Sequence, residues 1–182
     1  MKQILYDISD YKNNSDWLPI IASVFVLEMY VIFRAMRYKS VGELMHKWYA
    51  DFGILSAIAD ITILLLGYVL VRYIYRIFIY PRFGFNPILF IITLLGIQIT
   101  HDLCYYFLVV KPIPKGIFDI IDYMKEYGKV YKGWAIFGDS VMFIFMSLFA
   151  MILKGLPSHV SIAVIILAMY NLPYVLTTKL AS

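Results

Sequence analysis

The stretch PILFIITLLGIQITHDLCYYFLVV, residues 87–110, decides the fold. A helix rising about 1.5 Å per residue crosses the roughly 30 Å hydrocarbon core of a bilayer in about 20 residues, and this stretch is long enough. It is apolar except near its middle, where Gln98, His101 and Asp102 stand together. Ionisable side chains at that depth cost several kcal/mol when isolated, so they turn toward a bundle interior and find partners there.

Similar segments lie to either side, at 17–36, 54–75, 134–153 and 160–177. The expected fold is therefore an all-α polytopic transmembrane helix bundle of five spans. Asn171 and Pro173 in the last segment favour a bend, and the alternative is four spans plus a re-entrant or kinked C-terminal segment. Composition agrees: of 182 residues, 62% are hydrophobic and 15% charged, against about 25% charged in soluble domains. Mean hydropathy is +0.78.

Residues 1–16 are polar and mixed, and Ile4, Leu5, Ile8 and Tyr11 have the spacing of a helix lying on the membrane surface before the chain enters at Trp17. Glu28 interrupts the first apolar run, which reads as an uncleaved span. Residues 17–182 then form a single membrane domain. Its longest connection, 111–133, opens with Lys111-Pro112-Ile113-Pro114-Lys115-Gly116, which stops the preceding helix. Beyond it, Ile117, Ile120, Ile121, Met124, Tyr127 and Tyr131 share a face with acidic and basic residues between them, predicting an amphipathic interfacial helix.

Sixteen Lys and Arg against twelve Asp and Glu give a net charge of +4. The excess forms no basic tail or Arg-rich helix, so nucleic acid is not an expected partner. Ten basic residues, Arg34, Arg37, Lys39, Lys47, Lys111, Lys115, Lys125, Lys129, Lys132 and Lys179, fall on one side of the five-span map. Six, Lys2, Lys12, Arg72, Arg76, Arg82 and Lys154, fall on the other. The positive-inside rule puts the N-terminus outside or lumenal and the C-terminus cytoplasmic. Arg34, Arg37, Lys39, Lys47, Lys125, Lys129 and Lys132 then become candidate contacts for anionic lipid. Arg72, Arg76 and Arg82, crowded by Tyr73, Tyr75, Tyr80 and Phe83, read as snorkelling anchors at the outer interface, and Trp17, Trp48 and Trp134 as headgroup anchors.

Glu28, Asp60, His101, Asp102 and Asp139 lie inside the apolar segments. Helical rise places the four acids about 12, 9, 12 and 8 Å from the same membrane boundary, so antiparallel spans bring them into one polar layer. Gln98 and Tyr105 are spaced to support His101 and Asp102, and Ser56 is spaced to support Asp60. With no Lys or Arg at that depth, the acids stay protonated or a cation enters. Three readings follow: interhelical hydrogen-bond glue, a proton or cation path, or a divalent metal held by His101, Asp102, Asp60 and Asp139. No cofactor is required by any motif.

Enzyme signatures are missing. The sequence has no glycine-rich phosphate loop and no Ser-His-Asp elbow, so no catalytic residue is assigned. The lone Cys104 excludes an internal disulfide and reads as buried filler. Gly67, Gly96 and Gly138 permit close helix approach.

Asn86-Pro87, the run Gln98-Ile99-Thr100-His101-Asp102-Leu103 with Tyr105, Pro114-x-Gly116, Asp122, Tyr127, and Asp139-Ser140 with Met142 carry a resemblance. Over roughly residues 60–150 the chain resembles small multi-pass membrane proteins encoded by large DNA viruses of protists and algae. The resemblance implies the internal membrane of a virion, with capsid or neighbouring membrane proteins as partners. It implies no biochemical activity. The expected function is thus structural or assembly work in a virion internal membrane or a host endomembrane, and the alternative is a proton-, cation- or metal-handling protein using the buried layer.

Overall fold

The computed structural model describes residues 4–38 and 42–181. Five helices are long and apolar enough to cross a membrane: Asn14–Arg37, Ile54–Phe83, Pro87–Val110, Gly133–Lys154 and Ser158–Leu176. The regular parts of the spans are α1 (Trp17–Arg37), α3 (Ile54–Ile74), α5 (Pro87–Tyr105), α7 (Gly133–Lys154) and α8 (Ser158–Leu176). Between them come α2 (Glu43–Phe52), the short α4 (Tyr80–Phe83) and α6 (Asp119–Tyr131). Tyr75–Ile79 and Tyr106–Val110 are π-helical turns that extend α3 and α5. No strand occurs among the described residues.

Local chemistry sets the helix ends. Asn86 starts α5 by accepting from the backbone N–H of Ile88 and Leu89 at 3.0 and 3.2 Å, and Pro87 follows with its φ already fixed. Gly53 joins α2 to α3 in a single residue at φ 54°, which glycine adopts without penalty. Lys132 makes the matching turn between α6 and α7 at φ 48°, and there a side chain must tolerate it.

The spans α1, α3, α5 and α7 pack in a ring, each against the next, and α8 lies outside against α1. The buried residues of α8 are small, Ser161 and Ala168, which lets the two helices approach closely. Instead of re-entering, α8 runs unbroken through Pro173, and Asn171 donates to the Leu167 carbonyl of its own helix at 2.7 Å. Two clusters of buried side chains fill the ring. One gathers Ile8, Ile20, Tyr68, Tyr75, Phe90, Leu94 and Met146. The other gathers Ile32, Ala35, Leu44, Trp48, Tyr49, Ala57 and Tyr123 at the end where α2 and α6 lie.

The N-terminal segment is a correction. Residues 4–13 form an irregular strap, not a surface helix, and Ile8 is wholly buried in the first cluster. Charge explains the change: Asp7 and Asp10 pair with Arg76 at 3.7 and 3.6 Å, and Asp16 pairs with Arg72 and Lys154. Tyr6 donates its backbone N–H to Met151 and packs its ring on Gly155, where no Cβ fits.

Arg72 accordingly does not snorkel. It is 0% exposed, donates to the carbonyls of Asp10 and Asn13, and lies 4.7 Å from the centre of the Trp17 ring. Arg76 is only partly exposed and stacks on Tyr80, whereas Arg82 stays exposed. Tyr75, also read as an anchor, is buried, bonding Gly84 and Asn86 through its hydroxyl. Trp134 is exposed as an anchor would be, but Trp48 is buried. Cys104 is exposed, not buried filler. Of the three glycines, Gly67 meets a neighbour, since a Cβ there would lie 3.0 Å from the Phe143 ring, while Gly96 and Gly138 have nothing close.

Candidate functional site: a carboxylate-lined cavity

A cavity of about 230 Å³ separates the two buried clusters. Glu28 from α1, Asp60 from α3, Gln98, His101, Asp102 and Tyr105 from α5, and Asp139 from α7 all line it. Four antiparallel spans thus deliver their polar residues to one space, as the helical-rise arithmetic requires of residues equally deep. Among the described residues no lysine or arginine lines it.

Hydrogen bonds divide the wall into two groups. Tyr49 donates to Glu28 Oε1 at 2.9 Å and is within 3.0 Å of Asp60 Oδ2, so one hydroxyl stands between two carboxylates on different spans. Trp48 Nε1 donates to the same Asp60 oxygen at 2.8 Å. On the other side, Gln98 Nε2 donates to Asp102 and Ser140 Oγ donates to Gln98 Oε1 at 2.8 Å, tying α5 to α7. His101 Nδ1 lies 3.2 Å from Asp102 Oδ1, and its ring stacks on Tyr105. Adjacent in sequence, His101 and Asp102 therefore serve each other. Asp139 lines the cavity but makes no hydrogen bond to a described residue. Ser56 is not part of the site: it donates to Gly53 O at 2.5 Å and finishes the α2–α3 turn.

The roof was not legible as part of the site. Trp48 and Tyr49 of α2, with Tyr123 and Tyr127 of α6, close the end of the cavity. Trp48 stacks on Tyr123 with ring centres 4.9 Å apart, Tyr123 donates to Leu44 O at 2.7 Å, and Tyr127 donates to Met45 Sδ at 3.4 Å. Burial holds the Tyr49 hydroxyl well above the ordinary phenol range, and the charges of Glu28 and Asp60 push it the same way. Burial also raises Tyr123 and Tyr127. The roof therefore stays neutral and keeps its donors at any physiological pH. The one signal in the sequence was aromatic spacing: Tyr123, Tyr127 and Tyr131 recur every four residues on the α6 face.

The basic residues sit around this roof. Lys47 lies 3.9 Å from Glu126, Lys125 donates to Ile113 O, and Lys129 lines an outer cleft with Lys47 and Lys115. Arg37 donates to Lys179 O at 3.2 Å, Arg34 lies over the Tyr38 ring, and Lys132 occupies the α6–α7 turn. Lys39 lies outside the described residues, as does Lys2. The amphipathic connector does not simply rest on a membrane surface: Ile121 and Tyr123 are buried, and Ile117 precedes the helix and is exposed.

Among the described residues, no three His, Cys, Asp or Glu side chains are placed to hold a metal ion. The divalent-metal reading of His101, Asp102, Asp60 and Asp139 thus gains no ligand set. Compared with family models, curated proteins and solved structures, the chain matches none.

Proposed function

We propose that the chain is a cation-handling membrane protein whose working part is the cavity between α1, α3, α5 and α7. One observation carries the reading: among the described residues, Asp139 faces that space with no hydrogen-bond partner, beside three other carboxylates, and no basic side chain lines the wall. A layer serving only as interhelical glue satisfies its polar groups wall to wall, because an unmatched buried carboxylate is costly. Here a void remains where a cation or its hydration shell fits. The proposed side for α2 and α6 is the cytoplasm, on the distribution of ten basic residues against six.

The test is thermal unfolding of the purified protein in neutral micelles with sodium, potassium or tetramethylammonium chloride. At least one cation raises the midpoint saturably, and Asp139→Asn removes that rise while retaining helicity. A folded protein that responds to no cation, or an Asp139→Asn variant that responds like the parent, overturns the reading.

A second reading, assembly work in a membrane, is supported by the outer cleft over α2 and α6. There Lys47, Lys115 and Lys129 alternate with Asp51, Asp119 and Glu126 beside the roof. The resemblance to viral membrane proteins would make the neighbours capsid or membrane proteins of a virion. Crosslinking from residues 117–132 in native membranes should recover a defined protein or an anionic lipid, and recovery of neither removes this reading.

A further inference from the structure

The cavity is not a closed box. Leu66 and Leu70 of α3 line it and are 44% and 39% exposed; Leu94 of α5 lies beside Gly67 at that height, and next to it Ile97, then His101 and Tyr105 nearer the roof, line the cavity from α5 and are partly exposed. Residues that face both the cavity and the outside mark an opening, here the seam between α3 and α5. Both helices are spans, so the seam opens sideways, toward lipid. Polar and apolar walls are segregated along it. Carboxylates and the aromatic roof occupy the end near α2 and α6, while Ile63, Leu66, Gly67 and Leu70 continue the wall toward the bilayer middle.

The geometry points to a single-chain cationic amphiphile as the ligand: an ammonium head enters between α3 and α5 and seats among Asp60, Asp139 and the roof, and its alkyl chain lies along Leu66 and Leu70. This rests on the cation-handling reading above and names the ligand class. Size fits. An apolar cavity of about 150 Å³ accepts benzene, so a space of 230 Å³ accepts a compact quaternary ammonium group but not a whole lipid. Chemistry fits too. Carboxylates supply the counter-charge, and Trp48, Tyr49, Tyr123 and Tyr127 supply the aromatic surface that attracts an ammonium without demanding hydrogen bonds from it. A phosphate or carboxylate head meets only repulsion. A bare hydrated cation fits the head site but gains nothing from the apolar wall.

The experiment uses the full chain in dodecyl maltoside micelles, with Trp17→Phe and Trp134→Phe leaving Trp48 as the sole tryptophan. Dodecyltrimethylammonium, tetramethylammonium, dodecanol and dodecyl sulfate are titrated at matched total concentration. Trp48 emission and the thermal midpoint are read. Dodecyltrimethylammonium should saturate both signals at a total concentration at least about tenfold below tetramethylammonium, because its chain concentrates it in the micelle and holds its head beside the seam, whereas tetramethylammonium stays dilute in water. Dodecanol and dodecyl sulfate should not saturate either. Asp139→Asn should weaken both ammonium probes at least about tenfold, since the counter-charge is lost. Among the described residues that carboxylate has no hydrogen-bond partner to strand, so the variant should fold. Leu66→Phe and Leu70→Phe, which narrow the seam, should weaken the dodecyl probe and leave tetramethylammonium unchanged.

Equal affinity for the two ammonium probes, or seam variants that weaken both alike, overturns the amphiphile while leaving the cation reading intact. A folded protein that binds neither ammonium probe overturns the amphiphile, and one that also responds to neither sodium nor potassium overturns the cation reading as well.

Discussion

Asp16→Asn and Arg72→Met remove opposite halves of one buried ion pair, and the structure predicts unequal costs. Arg72 is 0% exposed, and only one of its terminal nitrogens is engaged, by the carbonyls of Asp10 and Asn13 and by Asp16 at 3.4 Å. Its Nε and Nη1 are buried with no hydrogen-bond partner among the described residues. Methionine keeps the packing of the aliphatic stem and relieves those two donors, a gain of about 1–3 kcal/mol against a lost charge-assisted contact of about 1.5–3 kcal/mol. Asp16 remains held by Lys154 and by Asn13 Nδ2 at 3.0 Å. The net cost of Arg72→Met is therefore about 1 kcal/mol. Asp16→Asn is different. It removes the one carboxylate within ion-pair reach of Arg72 among the described residues and leaves a guanidinium buried without a counter-charge, costing about 3–5 kcal/mol. Lys154 is partly exposed and recovers water, so that penalty falls on Arg72. In the double variant the stranded charge is gone, and stability should return to within about 1 kcal/mol of Arg72→Met alone. Reversible unfolding of the four proteins by SDS in mixed micelles measures the cycle. Equal single-variant costs, or a double variant equal to the sum of the singles, would refute the reasoning.

Other consequences are smaller. Lys132→Gly relieves a side chain at φ 48° and should stabilise the protein by about 1 kcal/mol in the same unfolding assay. Gly155→Val drives a side chain into the Tyr6 ring and should cost about 1–3 kcal/mol, with Tyr6→Ala partly restoring stability; a neutral Gly155→Val would mean the strap is not seated there. Alkaline pH should destabilise the roof. Tyr49, Tyr123 and Tyr127 are raised above the ordinary phenol value of about 10, so their contribution is intact below that value and lost as pH rises through their folded-state values. Ultraviolet titration should show these three phenols ionising after the exposed ones, and replacing all three by Phe should flatten the alkaline loss.

What could be read from sequence follows the reach of each physical rule. Span boundaries follow from apolar length: the spans Pro87–Val110, which is α5 with its π-helical turn, and Gly133–Lys154 lie within a residue or so of expectation because lipid allows little else. The carboxylates of α1, α3, α5 and α7 could be placed at one depth because helical rise is fixed. Gln98 and Tyr105 were found by i to i+4 spacing. Partners far apart in sequence were not. Arg72 meets the strap more than fifty residues earlier, and no periodicity distinguishes such a buried arginine from a snorkelling one. Trp48 sits beside a span end, where an anchor and a roof residue have the same sequence signature. Its bond to Asp60 depends on α2 folding back over the bundle, which a loop of mixed composition does not announce. In the N-terminal strap, four apolar residues at helical spacing predict a surface helix, but Asp7, Asp10 and Asp16 find their partners on Arg72, Arg76 and Lys154, which local spacing does not reveal.

If Glu28, Asp60, Asp102 and Asp139 surround one space that takes a cation, an experimental density map of the protein with bound dodecyltrimethylammonium will show head-group density bounded by those carboxylates beneath Trp48 and Tyr123, with the chain emerging between Leu66 and Ile97. Carboxylates pointing separately into lipid, or packed against one another with no space between, would contradict it.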